Sequence, residues 1–267
     1  MRRLAEMRER GQRGLAPFVT AGDGGLETTL AVLHALDRAG ATCVELGLPF
    51  SDPIADGPVL QAAADRALAA GATFERVLEM LTSFRRESAM PVAIMTYANP
   101  LLRRGWAVSA RAIAKAGGDA LLVADLPVEE GDAMRAAAID AGLDPIFFVS
   151  PTTSPERMSR AIESSRGFVY AIGRFGVTGA RTELDPAAQS FLARVRDRSN
   201  GLPVAVGFGI ATAADVRAAV EHADLAIVGS ALVQKIHAAF EAGGRRPAAA
   251  AQAAEAFARE LMKGIER

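Results

Sequence analysis

Cys43-Val44-Glu45-Leu46-Gly47, then PFSDPIADGP at 49–58, then VLQAAADRALAA at 59–70, closed by Gly71, reads as a strand, a shaped loop and a helix in succession. The first five residues are apolar apart from one carboxylate, as suits a strand covered on both faces. The loop holds three prolines and two aspartates, Asp52 and Asp56, and so has a defined path. The third piece is rich in Ala and Leu and ends where glycine can supply a left-handed cap.

The same step recurs outward in both directions. Strand-like segments fall at Ala16 to Thr20, Cys43 to Gly47, Val92 to Tyr97, Ala120 to Ala124, Pro145 to Val149, Phe168 to Ile172, Val204 to Gly207 and Ala226 to Val228. Helical stretches lie between and after them: Leu26 to Ala39, Phe74 to Phe84, Ser109 to Ala116, Glu129 to Ala141, Pro155 to Glu163, Ala187 to Arg198, Ala213 to Glu221 and Ala231 to Phe240. Ala39-Gly40, Ala70-Gly71, Ala116-Gly117 and Ala141-Gly142 repeat one helix ending. Eight alternations with right-handed crossovers predict a closed (β/α)8 TIM barrel, a single domain over 1–267. The additions are an N-terminal helix, a second helix after strand two (Val59 to Ala70) and a C-terminal helix from Pro247. An open doubly wound sheet is the rival, but strand one leads into TAGDGG, which lacks G-x-G-x-x-G spacing.

Composition narrows the function classes. The chain has 267 residues, 50% of them hydrophobic, too apolar for a disordered chain. No apolar run approaches the ~18 residues of a membrane span. Thirty Lys and Arg against 31 Asp and Glu provide no field for a polyanion, which argues against nucleic acid as the main ligand. The opening MRRLAEMRERGQRG lacks the apolar core of a secretory signal, and Cys43, the single cysteine, excludes an internal disulfide. A cytoplasmic location is expected. His34, His222 and His237 fall in helices without ligand spacing, so no metal is expected, and the pairs Arg85-Arg86 and Arg103-Arg104 read as solvated.

In such a barrel the ligand site lies at the C-terminal ends of the strands. Glu45, within a covered strand, suits either an acid–base group with a raised pKa or a structural ion pair. Asp52 and Asp56 suit either catalysis or turn chemistry. The long segment IGRFGVTGARTELD at 172–185 reads as a lid, an anion site or a plain loop. Gly207-Phe208-Gly209 and Gly229-Ser230 follow strands seven and eight, where barrels often hold phosphate.

ELGLPFSDPIADGP closely resembles the signature segment of the alpha chain of tryptophan synthase, and it joins carboxylates, prolines and glycines in one stretch. APFVTAGD, MTYANP, VADLPVEE, GVTG, GFGI and VGSALV also resemble family motifs, so the likeness runs from Leu15 to Val233. The resemblance implies retro-aldol cleavage of indole-3-glycerol phosphate to indole and glyceraldehyde 3-phosphate, with no metal or organic cofactor in this chain. It implies Glu45 as the acid–base group and Asp56 as its assistant at the indole N–H. It implies Phe18, Tyr97 and Tyr170 around the indole, and Gly179, Gly209, Gly229 and Ser230 at the phosphate, with Thr178 and Phe208 beside it.

It further implies a partner, the tryptophan synthase beta chain, which carries pyridoxal phosphate, in an assembly of two alpha and two beta chains. A stand-alone lyase releasing indole and a non-catalytic phosphate-binding scaffold are the rival readings. Gly24 stands where the family usually has proline, Gly173 where serine is frequent and Phe175 where a small polar residue is common.

Overall fold

The computed structural model describes residues 2–173, 184–207 and 209–266. Helix α1 (Arg2–Glu9) precedes strand β1 (Gly14–Thr20), and α2 (Leu26–Arg38) leads to β2 (Val44–Gly47). Two helices follow β2, α3 (Pro58–Ala69) and α4 (Phe74–Arg85), before β3 (Val92–Thr96). Then come α5 (Ala98–Leu102), α6 (Trp106–Ala116), β4 (Ala120–Val123), a short 3₁₀ turn (Val128–Glu130) and α7 (Asp132–Asp140). The second half runs β5 (Asp144–Ile146), β6 (Phe148–Val149), α8 (Pro155–Ser164), β7 (Val169–Ile172), α9 (Pro186–Arg198), β8 (Val204–Gly207), α10 (Ala213–His222), β9 (Leu225–Val228), α11 (Ser230–Ala242) and α12 (Pro247–Met262).

All the strand pairings are parallel, in the order β5-β4-β3-β2-β1-β9-β8-β7-β6. The ring closes through the chain itself, because β5 and β6 are two pieces of one run separated by Phe147. This is the TIM barrel expected from the alternation, with its fifth strand broken. The break has an identifiable cause: the Phe147 N–H donates to the buried Ser165 hydroxyl at 3.0 Å instead of to a neighbouring strand. The stretch expected as one helix from Glu129 to Ala141 is likewise divided, with Gly131 between the 3₁₀ turn and α7. A Cβ at Gly131 would come within 2.5 Å of the Phe147 ring, so the glycine lets the two segments approach.

Two apolar layers result. The outward strand faces pack against the helices, while Ala16, Cys43, Ala93, Leu122, Ile146 and Phe168 belong to the cluster that fills the barrel. Leu4 and Met7 of α1 join that inner cluster and plug its N-terminal end. Small side chains dominate the lower interior, so α1 completes the packing that the strands alone leave thin.

Two aspartates clamp the same end. The N–H of Asp119 donates to the Val92 carbonyl, and its carboxylate accepts the Val92 N–H at 2.8 Å. Asp224 repeats the arrangement on Val204, donating at 2.8 Å and accepting at 2.9 Å. Each carboxylate also meets arginine: Arg85 at Asp119, and Arg13 (3.2 Å) with Arg8 (3.5 Å) at Asp224. Arg85, expected to be solvated, is therefore largely buried, because its guanidinium also satisfies the Gly117 and Met90 carbonyls. Asp224→Ala is expected to cost about 2–4 kcal/mol, since it leaves the Val204 N–H and a partly buried guanidinium unpaired, and Asp119→Ala about half as much, its side chain being more exposed. Urea denaturation midpoints check both values and their order.

Candidate active site

The C-terminal ends of the strands surround a cavity of about 380 Å³. Glu45 sits on its wall, in register with Phe18 of β1 and Ala93 of β3. Period-two alternation explains its direction: Cys43, two residues earlier, is in the inner cluster, so Glu45 points inward as well. Only 3% of Glu45 is exposed, and neither carboxylate oxygen has a hydrogen-bond partner of good geometry among the described residues.

That environment raises the Glu45 pKa to about 8. Burial is the main cause, the nearby Asp56 charge adds to it, and the Tyr170 hydroxyl, close enough to favour the anion, offsets part of it. Tyr170 is thus a polar neighbour of Glu45 and not a clamp on it. Burial also drives the Tyr170 hydroxyl pKa well above the ordinary phenol value, with the Glu45 charge contributing, so this group stays protonated. Its ring packs against Phe148 at 5.0 Å between centroids. Gly207 makes room for it: a Cβ there would stand 3.1 Å from the Tyr170 hydroxyl. Gly47 does the same for Phe18, whose ring a Cβ would approach to 2.5 Å.

Asp56 arrives from the loop between β2 and α3 and faces the same cavity. A turn places it, the Asp56 N–H donating to the Pro53 carbonyl at 3.0 Å. Burial raises its pKa from the ordinary carboxylate value, while the nearby Tyr97 hydroxyl acts the other way. Tyr97 also accepts the Ala55 N–H at 3.2 Å and packs on Phe50 at 5.4 Å. Asp52 is exposed, bonds the adjacent Ser51 hydroxyl and does not line the cavity. The two aspartates that turn chemistry alone left equivalent are therefore distinct in place, and Asp56, singled out by the resemblance, is the one at the cavity.

Beyond β1 from the carboxylates, at the ends of β8 and β9, Gly209, Gly229 and Ser230 line the cavity, with Ser230 the first residue of α11. Free N–H groups at such a helix start suit an anion. The structure thus brings together Phe18, Glu45, Asp56, Tyr170, Gly209, Gly229 and Ser230. Tyr97 stands behind Asp56 in a narrow adjoining space and not on the main cavity wall. Thr178, Gly179, Phe208 and Phe175 lie outside the described residues. Gly173 is at the cavity edge, whereas Gly24 is remote from it and takes φ +76°, a value closed to proline. Met95, Phe148, Ile172 and Ile227 also line the cavity and were not anticipated, although inward alternation along β3, β6, β7 and β9 marks them. Among the described residues no group of three His, Cys, Asp or Glu side chains is arranged to hold a metal, and no helix is long and apolar enough to cross a membrane.

Comparison with known proteins agrees with this geometry. The profile of the tryptophan synthase alpha chain family matches residues 4–266. The tryptophan synthase alpha chain of Prochlorococcus marinus is 46% identical over 260 residues, covering 97% of this chain and 92% of that one. The one from Xanthomonas oryzae is 45% identical over 267 residues, covering 99% and 97%. Among solved structures, tryptophan synthase subunit alpha from Legionella pneumophila superposes with a TM-score of 0.89 at 35% identity, covering 99% of this chain and 97% of that one. A chain of the tryptophan synthase a2b2 complex from Pyrococcus furiosus gives 0.84 at 36% identity, covering 93% and 97%. This chain belongs to the tryptophan synthase alpha chain family, the lyase subunit that cleaves indole-3-glycerol phosphate in tryptophan biosynthesis.

Proposed function

We propose that Glu45 is the acid–base group of the cleavage and Asp56 its electrostatic partner, with the substrate's indole against Phe18 and Tyr170 and its phosphate at Gly209, Gly229 and Ser230. Thr178, Gly179 and Phe208 complete the phosphate end in this reading, and Tyr97 acts by fixing Asp56. The observation that carries it is a buried, inward carboxyl group that shares a largely apolar cavity with a second carboxylate.

With a pKa near 8, Glu45 is mostly protonated at neutral pH and can give its proton to indole C3. The ring becomes an indolenine cation, and ionised Asp56 at the indole N–H stabilises its charge. Glu45, now an anion, takes the proton from the glycerol hydroxyl next to C3. The O–H electron pair forms the carbonyl, and the C–C pair returns to the ring as indole leaves. Glu45 ends protonated, so the cycle consumes no proton. The divided environments of the two carboxyls, one in an apolar strand and one on a wetter loop, support this division of labour.

The chain needs no cofactor of its own in this reading; pyridoxal phosphate belongs to the beta chain. Exposed Ile54 on the Asp56 loop and exposed Leu102 at the end of α5 flank the site and favour a docked partner over a stand-alone lyase. The assembly in this reading is two alpha and two beta chains.

Indole release from indole-3-glycerol phosphate, measured with and without a beta chain, tests the reading: slow cleavage strongly stimulated by the partner is expected, and fast unstimulated cleavage supports the stand-alone rival. Glu45→Gln is expected to lower kcat by at least about 1,000-fold while leaving substrate affinity within about tenfold. The same variant has a signature in stability. Native Glu45 keeps its proton between the unfolded value of 4.5 and about 8, where the unfolded chain has lost it, so stability falls as pH rises through that window and levels above it. Glu45→Gln should flatten most of that slope in denaturation curves taken from pH 5 to 9. Ser230→Ala is expected to weaken glycerol phosphate binding about fivefold with kcat little changed, and calorimetric titration reads it directly.

A further inference from the structure

Beneath the Asp56 loop, adjoining the main cavity and sharing Phe18, Asp56, Leu60 and Met95 with its wall, lies a small space of about 20 Å³. Its lining includes Thr20, Thr96, Pro53, Asp56 and Tyr97. Thr20 ends β1 and Thr96 ends β3, so the two bracket the end of β2, from which the Asp56 loop departs. Both are buried, at 5% and 1% exposure. Their backbone carbonyls are engaged, by Asp23 at Thr20 and by Ala124 at Thr96. Their hydroxyls are not: neither has a hydrogen-bond partner among the described residues.

Valine has the shape of threonine and a strong preference for strands, so packing alone gives no reason for a hydroxyl at either position. A buried hydroxyl without a partner is a cost, and two on residues that line the same space call for something polar beside them. The volume admits one water molecule, and a buried water normally makes about three hydrogen bonds. Thr20, Thr96 and the Asp56 carboxylate supply that number.

We propose that Thr20 and Thr96 are positioning residues for Asp56, holding between them one water molecule that donates a hydrogen bond to its carboxylate. The proposal rests on the reading of Asp56 as the charge that faces the indole N–H. The Tyr97 hydroxyl already lies close enough to that carboxylate to favour its anion. The water supplies a second donor, so that the carboxylate orientation is set by two elements of the barrel, β1 and β3, and not by its own loop alone. Loop residues held this way lose less order when substrate binds.

Thr20→Val and Thr96→Val in the full chain, assayed by indole release, test it. Each is expected to lower kcat about tenfold, the rate equivalent of one hydrogen bond, with KM within about twofold. Thr→Ser at either position keeps the hydroxyl and should keep the rate. Because both act through one water, the double valine variant should be no worse than the single ones, and Thr20→Val added to Asp56→Asn should cause no further loss. Valine variants with unchanged kcat and a raised Tm overturn the proposal, for that is the behaviour of hydroxyls with nothing to hold. An Asp56→Asn chain that keeps its rate overturns the reading of Asp56, and the proposal with it; an inactive Asp56→Asn beside fully active valine variants overturns the proposal alone. If the valine variants do not fold, a high-resolution crystal structure of the unaltered chain decides: an ordered water within hydrogen-bond distance of both hydroxyls supports the proposal, and a dry space overturns it.

Discussion

A carboxyl group kept dry is the constraint on which this structure turns. Glu45 is in the wall of a barrel whose inner cluster is apolar and aromatic, and among the described residues it has neither a counter-ion nor a full set of hydrogen bonds. A structural ion pair would have lowered its pKa; the observed surroundings raise it. The neutral form is the one that such a site tolerates, and a neutral carboxyl is also the one that can donate a proton. Burial thus costs stability only to the extent that the group ionises, which ties the fold to its chemistry through a single proton.

Glycine positions serve this arrangement as much as any polar residue does. Gly47 and Gly207 make space for the Phe18 ring and the Tyr170 hydroxyl, and so set the distance at which these two side chains stand from Glu45. Gly24 shows the contrary case. Its backbone conformation excludes proline, and the loop after β1 lies against the Phe240 ring, away from the cavity.

Much of this was legible in the residues alone. Eight alternations of strand and helix predicted the barrel, since covered parallel strands are short apolar runs and their helices end in glycine. Glu45 stood out because a carboxylate in such a run needs a reason. What escaped notice depends on contacts distant in sequence. The fifth strand breaks because Ser165, 18 residues on, takes the Phe147 N–H. Helix α5 went unread because its first N–H is capped by Asp125, 27 residues away, and nothing local announces it. Asp52 and Asp56 are indistinguishable as turn residues, and only the Tyr97 hydroxyl, from the next strand's end, separates them. Tyr97 itself was placed beside the substrate from family likeness, whereas its position is behind the aspartate that it supports.

The two aspartate clamps look alike but join very different lengths of chain. Arg85 and Asp119 are 34 residues apart, Arg13 and Asp224 are 211 apart. On loop-closure entropy alone the longer connection costs roughly 1.6 kcal/mol more, (3/2)RT ln(211/34). On the ribosome the difference becomes one of time. The first clamp can form while the second half of the protein is still unmade, whereas the second must wait until Asp224 has emerged. Until then Leu4 and Met7 have no finished barrel to plug, and the nascent chain carries two apolar side chains on a charged first helix that only the last strands can shelter.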